Sequence, residues 1–106
     1  MSRNDVSDGD VTDFLRGDRL VIAEVRDAVD LVVRSFQFPD AGLSKDLAQD
    51  ALTRIFVNLT AGQFRGDSSL RTYARRVARY TCLEYLRRRR FEVGMDPESV
   101  PSHERW

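Results

Sequence analysis

Three stretches of this chain repeat their apolar residues at every third or fourth position. Val21, Val25, Ala28, Val29, Val32 and Phe36 follow Leu20 at this spacing, and Leu47, Ala48, Ala51, Leu52, Ile55, Phe56 and Leu59 form a second series. Leu70, Tyr73, Ala74, Val77, Ala78, Cys82 and Tyr85 form a third. A period of about 3.6 residues brings such positions onto one side of an α-helix. An amphipathic helix must bury that side against another element. The pattern therefore predicts an all-α fold, a compact bundle of three main helices of about four to five turns each. Phe14 and Leu15 fit a short helical turn ahead of them. A length of 106 residues suits one small domain and leaves little room for a second.

Local signals divide the helices. Gln37–Gly42, with Pro39 and Gly42, breaks the first from the second. Ser44 offers an N-cap for the second helix, and Asp46 puts a negative charge in the first turn, where the helix dipole favours it. That helix ends near Ala61-Gly62. The loop Gln63–Asp67 contains Gly66, and Asp67 or Ser68 can cap the third helix. The third helix runs into Arg87–Arg90, whose cations complement its C-terminal dipole. Residues 1–12 read as a flexible acidic N-terminus, residues 13–90 as the domain, and residues 91–106, with Pro97 and Pro101, as a linker or tail.

Formal net charge is zero, but it is unevenly distributed. Residues 1–50 carry a balance of −5 and residues 91–106 one of −3. Residues 65–90 hold nine Arg against Asp67 and Glu84, a balance of +7. One segment is thus a concentrated cationic surface, which bears on partners more than the overall balance does. In its helix, at about 100° per residue, Arg71, Arg75, Arg79 and Arg90 fall opposite the apolar side, with Arg76 to one flank. Tyr73, Arg76, Tyr80 and Arg87 lie close together in angle, a mixed aromatic and cationic edge on which unpaired bases stack. Ahead of it, Arg65, Gly66 and the hydroxyls of Ser68, Ser69 and Thr72 surround a helix N-terminus, whose free N–H groups suit a phosphate. The competing reading is a solvated arginine face with two tyrosines at the rim of the core.

An enzyme is not indicated. His103 is the only histidine and sits in the tail, so neither a His-based catalytic site nor a metal cluster assembles, and no cofactor is implied. Cys82 falls on the apolar side of its helix and reads as a core thiol. Asp46 and Asp50 are one turn apart but lack metal partners. A single cysteine excludes an intrachain disulfide framework. No apolar run approaches the roughly 18–20 residues that span a bilayer, and no secretory signal is visible. A cytosolic protein is expected.

Four segments in register resemble a known family. Asp46-Leu47-Ala48-Gln49-Asp50-Ala51-Leu52-Thr53-Arg54-Ile55-Phe56 looks like the D-L-V-Q-E-T-F-L-R-V-W segment of bacterial extracytoplasmic-function sigma factors. Phe64-Arg65-Gly66-Asp67-Ser68-Ser69-Leu70-Arg71-Thr72-Tyr73 resembles F-R-G-D-S-S-F-R-T-W of the same family. Val77-Ala78-Arg79 and Leu86–Arg90 resemble the I-A-R-N and L-R-R-R-R stretches that follow. The resemblance covers roughly residues 13–90 and is to region 2, the core-binding and promoter-melting domain. It implies that Asp46, Gln49, Asp50, Thr53, Arg54 and Asn58 dock on the clamp of the RNA polymerase β′ subunit. It implies further that Arg65, Ser68, Ser69, Leu70, Arg71, Thr72 and Tyr73 capture a base flipped from the non-template strand of the promoter −10 element. Arg75, Arg76, Arg79, Tyr80 and Arg87 would line the rest of that single-stranded path. An anti-sigma factor is a further partner the family suggests.

Three positions depart from the family pattern. Its frequent aromatic at the loop is Leu70 here, its Trp is Tyr73, and its Asn after I-A-R is Tyr80, which could supply the aromatic surface lost at Leu70. Complete family members add a second helical domain that reads the −35 element. Nothing after Arg90 has the periodicity for one, so an excised domain is expected in preference to a naturally short relative. Two other readings stand beside this one: a sigma-like interaction module that binds polymerase or an anti-sigma factor without reading DNA, and a generic Arg-rich nucleic-acid binder.

Overall fold

The structure, a computed structural model, describes residues 8–92 as four α-helices. These are α1 (Asp8–Leu15), α2 (Arg19–Ser35), α3 (Ala41–Thr60) and α4 (Leu70–Glu92). The three main helices expected are α2, α3 and α4, and α4 packs against both of the others. No strand occurs among the described residues. Residues 1–7 and 93–106, which include most of the expected tail and His103, lie outside them.

Each main helix contributes one stripe to a single core. Val25, Ala28, Val29 and Val33 come from α2, and Leu47, Ala51, Ile55 and Leu59 from α3. Leu70, Ala74, Ala78 and Cys82 come from α4, every fourth residue along its first three turns. The α4 stripe is made of small side chains except at its head. Ala74, Ala78 and Cys82 expose none of their surface, so the arginine-bearing helix lies close on its neighbours. Thr81, the one buried polar side chain among the described residues, donates its hydroxyl to Val77 O at 2.8 Å and is satisfied within α4.

Several local expectations change. The short turn expected at Phe14 and Leu15 is a helix that starts at Asp8, so Asp8–Thr12 is helical and not frayed. Phe14 is buried and Val11 and Leu15 pack against the core, which holds α1 down. Leu20, expected to open the apolar stripe of α2, is largely exposed, and Val33 takes a core position instead. The α3 cap is Asp40, whose Oδ1 accepts from Gly42 N at 2.8 Å, and not Ser44. Gly42 thus lies in the first turn of α3, and the break before it is shorter than expected. The α4 cap is Ser69, whose Oγ accepts from Thr72 N at 3.1 Å, and not Asp67 or Ser68.

Two junctions set the approach of α3 to α4. Phe36 stacks on Phe38 with centroids 5.6 Å apart, and Phe38 meets Tyr85 edge-on at 5.9 Å, closing the end where α2 turns into α3. At the other end α3 stops at Gly62, where Gly62 N donates to Leu59 O and Gln63 N to Asn58 O. This doubly bonded closure needs a left-handed residue, and Gly62 has φ +74°. The loop that follows leads directly to Ser69 and the arginine helix.

Candidate nucleic-acid interface

The arginines of the cationic segment lie at the surface. Arg71, Arg75, Arg76 and Arg79 are all exposed along α4, as are Arg65 in the preceding loop and Arg87 near the far end. No ion pair joins any of these six to an acid among the contacts seen, so their charges face outward. At the start of α4 a hollow of about 280 Å³ is lined by Asp10, Glu24, Ser69, Arg71, Thr72 and Arg75 among others. Acids of α1 and α2 therefore border the first arginines of α4.

Between α3 and α4 runs a groove of about 520 Å³, lined by Thr53, Arg54, Val57, Asn58, Tyr73, Arg76, Val77 and Tyr80. It brings together residues that the sequence reading divided between two partners. Arg54 and Asn58, expected on the outward polar face of α3, turn toward α4 and are half-buried. Asn58 Nδ2 donates to the Tyr73 hydroxyl at 2.9 Å, and the Tyr73 ring packs on Phe64 at 4.8 Å between centroids. Tyr73 is therefore fixed as a wall of the groove. Tyr80, 52% exposed, presents its ring at the rim.

Arg54 joins the two helices. Its Nη2 donates to Glu84 Oε1 at 2.7 Å, its Nε to Asp50 Oδ1 at 3.4 Å, and its Cζ lies 5.6 Å from the Tyr80 ring centroid. Glu84 Oε2 also receives Arg88 at 3.5 Å. The Arg54 hydrogen bond, and the charges of Arg54, Arg88 and Arg87, hold the Glu84 carboxyl below the usual carboxylate range against the opposing effect of burial. Burial works against the Arg54 charge, yet the Glu84 bond and the attraction of Asp50 and Glu84 outweigh it and raise its pKa.

Leu70 requires a correction. Expected at the base-capturing loop, it is 2% exposed and heads the core stripe of α4, so its side chain has no open face for a base. The hydroxyls beside it are committed to the turn: Ser69 Oγ donates to Thr72 Oγ1 at 2.9 Å, and Ser68 Oγ to Ser69 O at 3.3 Å. Cys82 is a core residue, and burial pushes its thiol up to about 11. No group of His, Cys, Asp or Glu among the described residues is placed to hold a metal ion.

The outward face of α3 keeps Asp46, Gln49, Asp50 and Thr53, all exposed. Two apolar side chains not anticipated from the sequence lie near them. Phe56 and Val57 are 50% and 54% exposed, although Phe56 was assigned to the buried stripe. One step from Ile55 turns a side chain by about 100°, and the four-residue series Leu47, Ala51, Ile55, Leu59 was the signal that leaves Phe56 outside. Val77, expected on the buried side of its helix, lines the groove, and Glu84 carries no expected role. Glu84 is the lone acid within the described arginine helix apart from its terminal Glu92, which was the available clue.

Among protein-family models, the one described as sigma-70 region 2 matches residues 21–92, from α2 to the end of α4. No curated protein and no solved structure matches the chain.

Proposed function

Given that the chain belongs to the sigma-70 region 2 family, a non-enzymatic domain of transcription initiation factors that work with RNA polymerase core and promoter DNA, we propose that α3 and α4 divide those two contacts. The extracytoplasmic-function subclass suggested by the four motifs is part of the same proposal. The outward face of α3 docks on the clamp of the β′ subunit through Asp46, Gln49, Asp50 and Thr53. Phe56, 50% exposed, supplies an apolar group of the kind a protein interface needs and a solvated face does not. The exposed arginines of α4, with Arg65, hold the phosphates of the non-template strand.

The groove between α3 and α4 is the site for a base extruded from the −10 element. The observation that carries this reading is the grouping of Asn58, Tyr73, Arg76, Val77 and Tyr80 around one cleft beside an unpaired arginine face. Val57 and Val77 give it an apolar floor, Tyr80 an exposed ring for stacking, and Asn58 with Tyr73 a pair of polar groups at its side. A protein without ATP hydrolysis favours a melted duplex by stabilising the unstacked base. Ser69 and Thr72 act on this site indirectly, by fixing the start of α4. Leu70 acts likewise as a core anchor.

Two measurements test the division. Wild type retains core RNA polymerase in a pull-down, and the Asp46→Ala/Gln49→Ala double variant loses it while keeping single-strand affinity. Tyr80→Ala weakens binding to a single-stranded −10 oligonucleotide by about 1–3 kcal/mol, the range for one base–aromatic stack, and keeps polymerase binding. Polymerase retention without any preference for the single strand would favour an interaction module, a reading to which the exposed Phe56 lends support.

A further inference from the structure

Arg54 is engaged on three sides within the molecule: by Glu84 at 2.7 Å, by Asp50 at 3.4 Å, and by the ring of Tyr80 at 5.6 Å from its centroid. A tyrosine half-exposed at a helix surface ordinarily samples several rotamers and loses that freedom when a ligand stacks on it, at roughly 0.5–1.5 kcal/mol for an immobilised side chain. The guanidinium beside Tyr80 attracts the ring electrostatically, which leaves the rest of its surface to the groove. Glu84, whose side chain is 18% exposed, anchors that guanidinium with a short charge-assisted bond. The brace runs from α3 to α4 and crosses the groove wall.

We propose that Arg54 is a positioning residue for base capture: anchored by Glu84, it pre-orders the Tyr80 ring at the rim of the α3–α4 groove, and it is not a contact for polymerase. This rests on the reading of the groove as the base site. A lysine at position 54 would carry the charge but not the planar fork that reaches Glu84 and lies over the ring together.

The test uses two single-stranded oligonucleotides of one length, one with all its bases and one with abasic sites across the −10 positions. Both carry the same phosphates, so their affinity ratio isolates base stacking from charge. Arg54→Ala should lower that ratio about two- to fivefold, the size of a partly exposed cation–π contact, and Arg54→Lys should restore little of it. In a Tyr80→Ala background the same change should cost nothing further. Equal losses with and without Tyr80 would overturn the brace, as would full recovery by lysine. An unchanged ratio in Tyr80→Ala itself sinks the base-capture reading and the brace with it. If thermal melting shows that Arg54→Ala is unfolded, Glu84→Gln enters the same cycle, with additivity again the overturning result. Loss of polymerase retention by Arg54→Lys in a pull-down would also overturn the proposal.

Discussion

Arg54 and Glu84 form the shortest ion pair among the described residues, 2.7 Å between Nη2 and Oε1. Glu84 has its carboxyl held below the usual range in the folded state, so its contribution to stability is present above the unfolded pKa and is lost as pH falls through the folded one. Glu84→Gln should therefore lower stability near neutral pH by about 1–2 kcal/mol, as expected for a partly shielded charge-assisted bond. The gap between variant and wild type should close under strongly acid conditions. Urea unfolding at a series of pH values checks this, and a gap independent of pH would count against the ionic bond. At this scale the sequence was least legible. Arg54 and Asn58 sit on the polar side of their helix by angle alone. Nothing in α3 itself reveals that α4 would offer them Glu84 and Tyr73 from 30 and 15 residues away. Leu70 was read both as core and as base contact, and only its packing at the head of the Ala74, Ala78, Cys82 series decides for the core.

The helices themselves were legible because their apolar period is long and consistent, whereas their ends were not. Ser, Asp and Gly cluster around the starts of both α3 and α4, and any of several could cap. Asp40 wins before α3 because its carboxylate bonds the first turn at Gly42. Ser69 wins before α4 because its hydroxyl reaches the amide of Thr72. The closure of α3 at Gly62 offers a clean test. A Cβ built there meets nothing within 4 Å, so a side chain would add no clash and only the left-handed backbone would resist. Gly62→Ala should destabilise the protein by about 1 kcal/mol, read from the urea midpoint with an unchanged slope. A larger loss would mean that the loop into α4 depends on Gly62 for more than its φ.

A chain of zero net charge can still bind a polyanion when its charge is segregated, and α4 is where this molecule concentrates its cations. Single-strand binding should accordingly weaken with salt, at a log–log slope of about 0.7 per phosphate contacted. Replacing Arg75 and Arg79 with Gln should flatten that slope by about 0.7 for each contact removed, leaving polymerase retention intact. An unaltered slope would place the phosphates elsewhere. No helix among the described residues is long and apolar enough to cross a membrane. Family membership and the all-helical fold could both be anticipated from four motifs in register. The groove could not, because it exists only once α3 and α4 lie side by side.

That closeness depends on the row of Ala74, Ala78 and Cys82, each with no exposed surface. The side chains that secure α4 and those it turns outward form separate sets along the same helix. Arg71, Arg75, Arg76, Arg79 and Tyr80 can thus be exchanged together, as one cassette, without altering a buried atom of the stripe beneath them. The charge and the aromatic ring on that face are in this way decoupled from the packing that carries them.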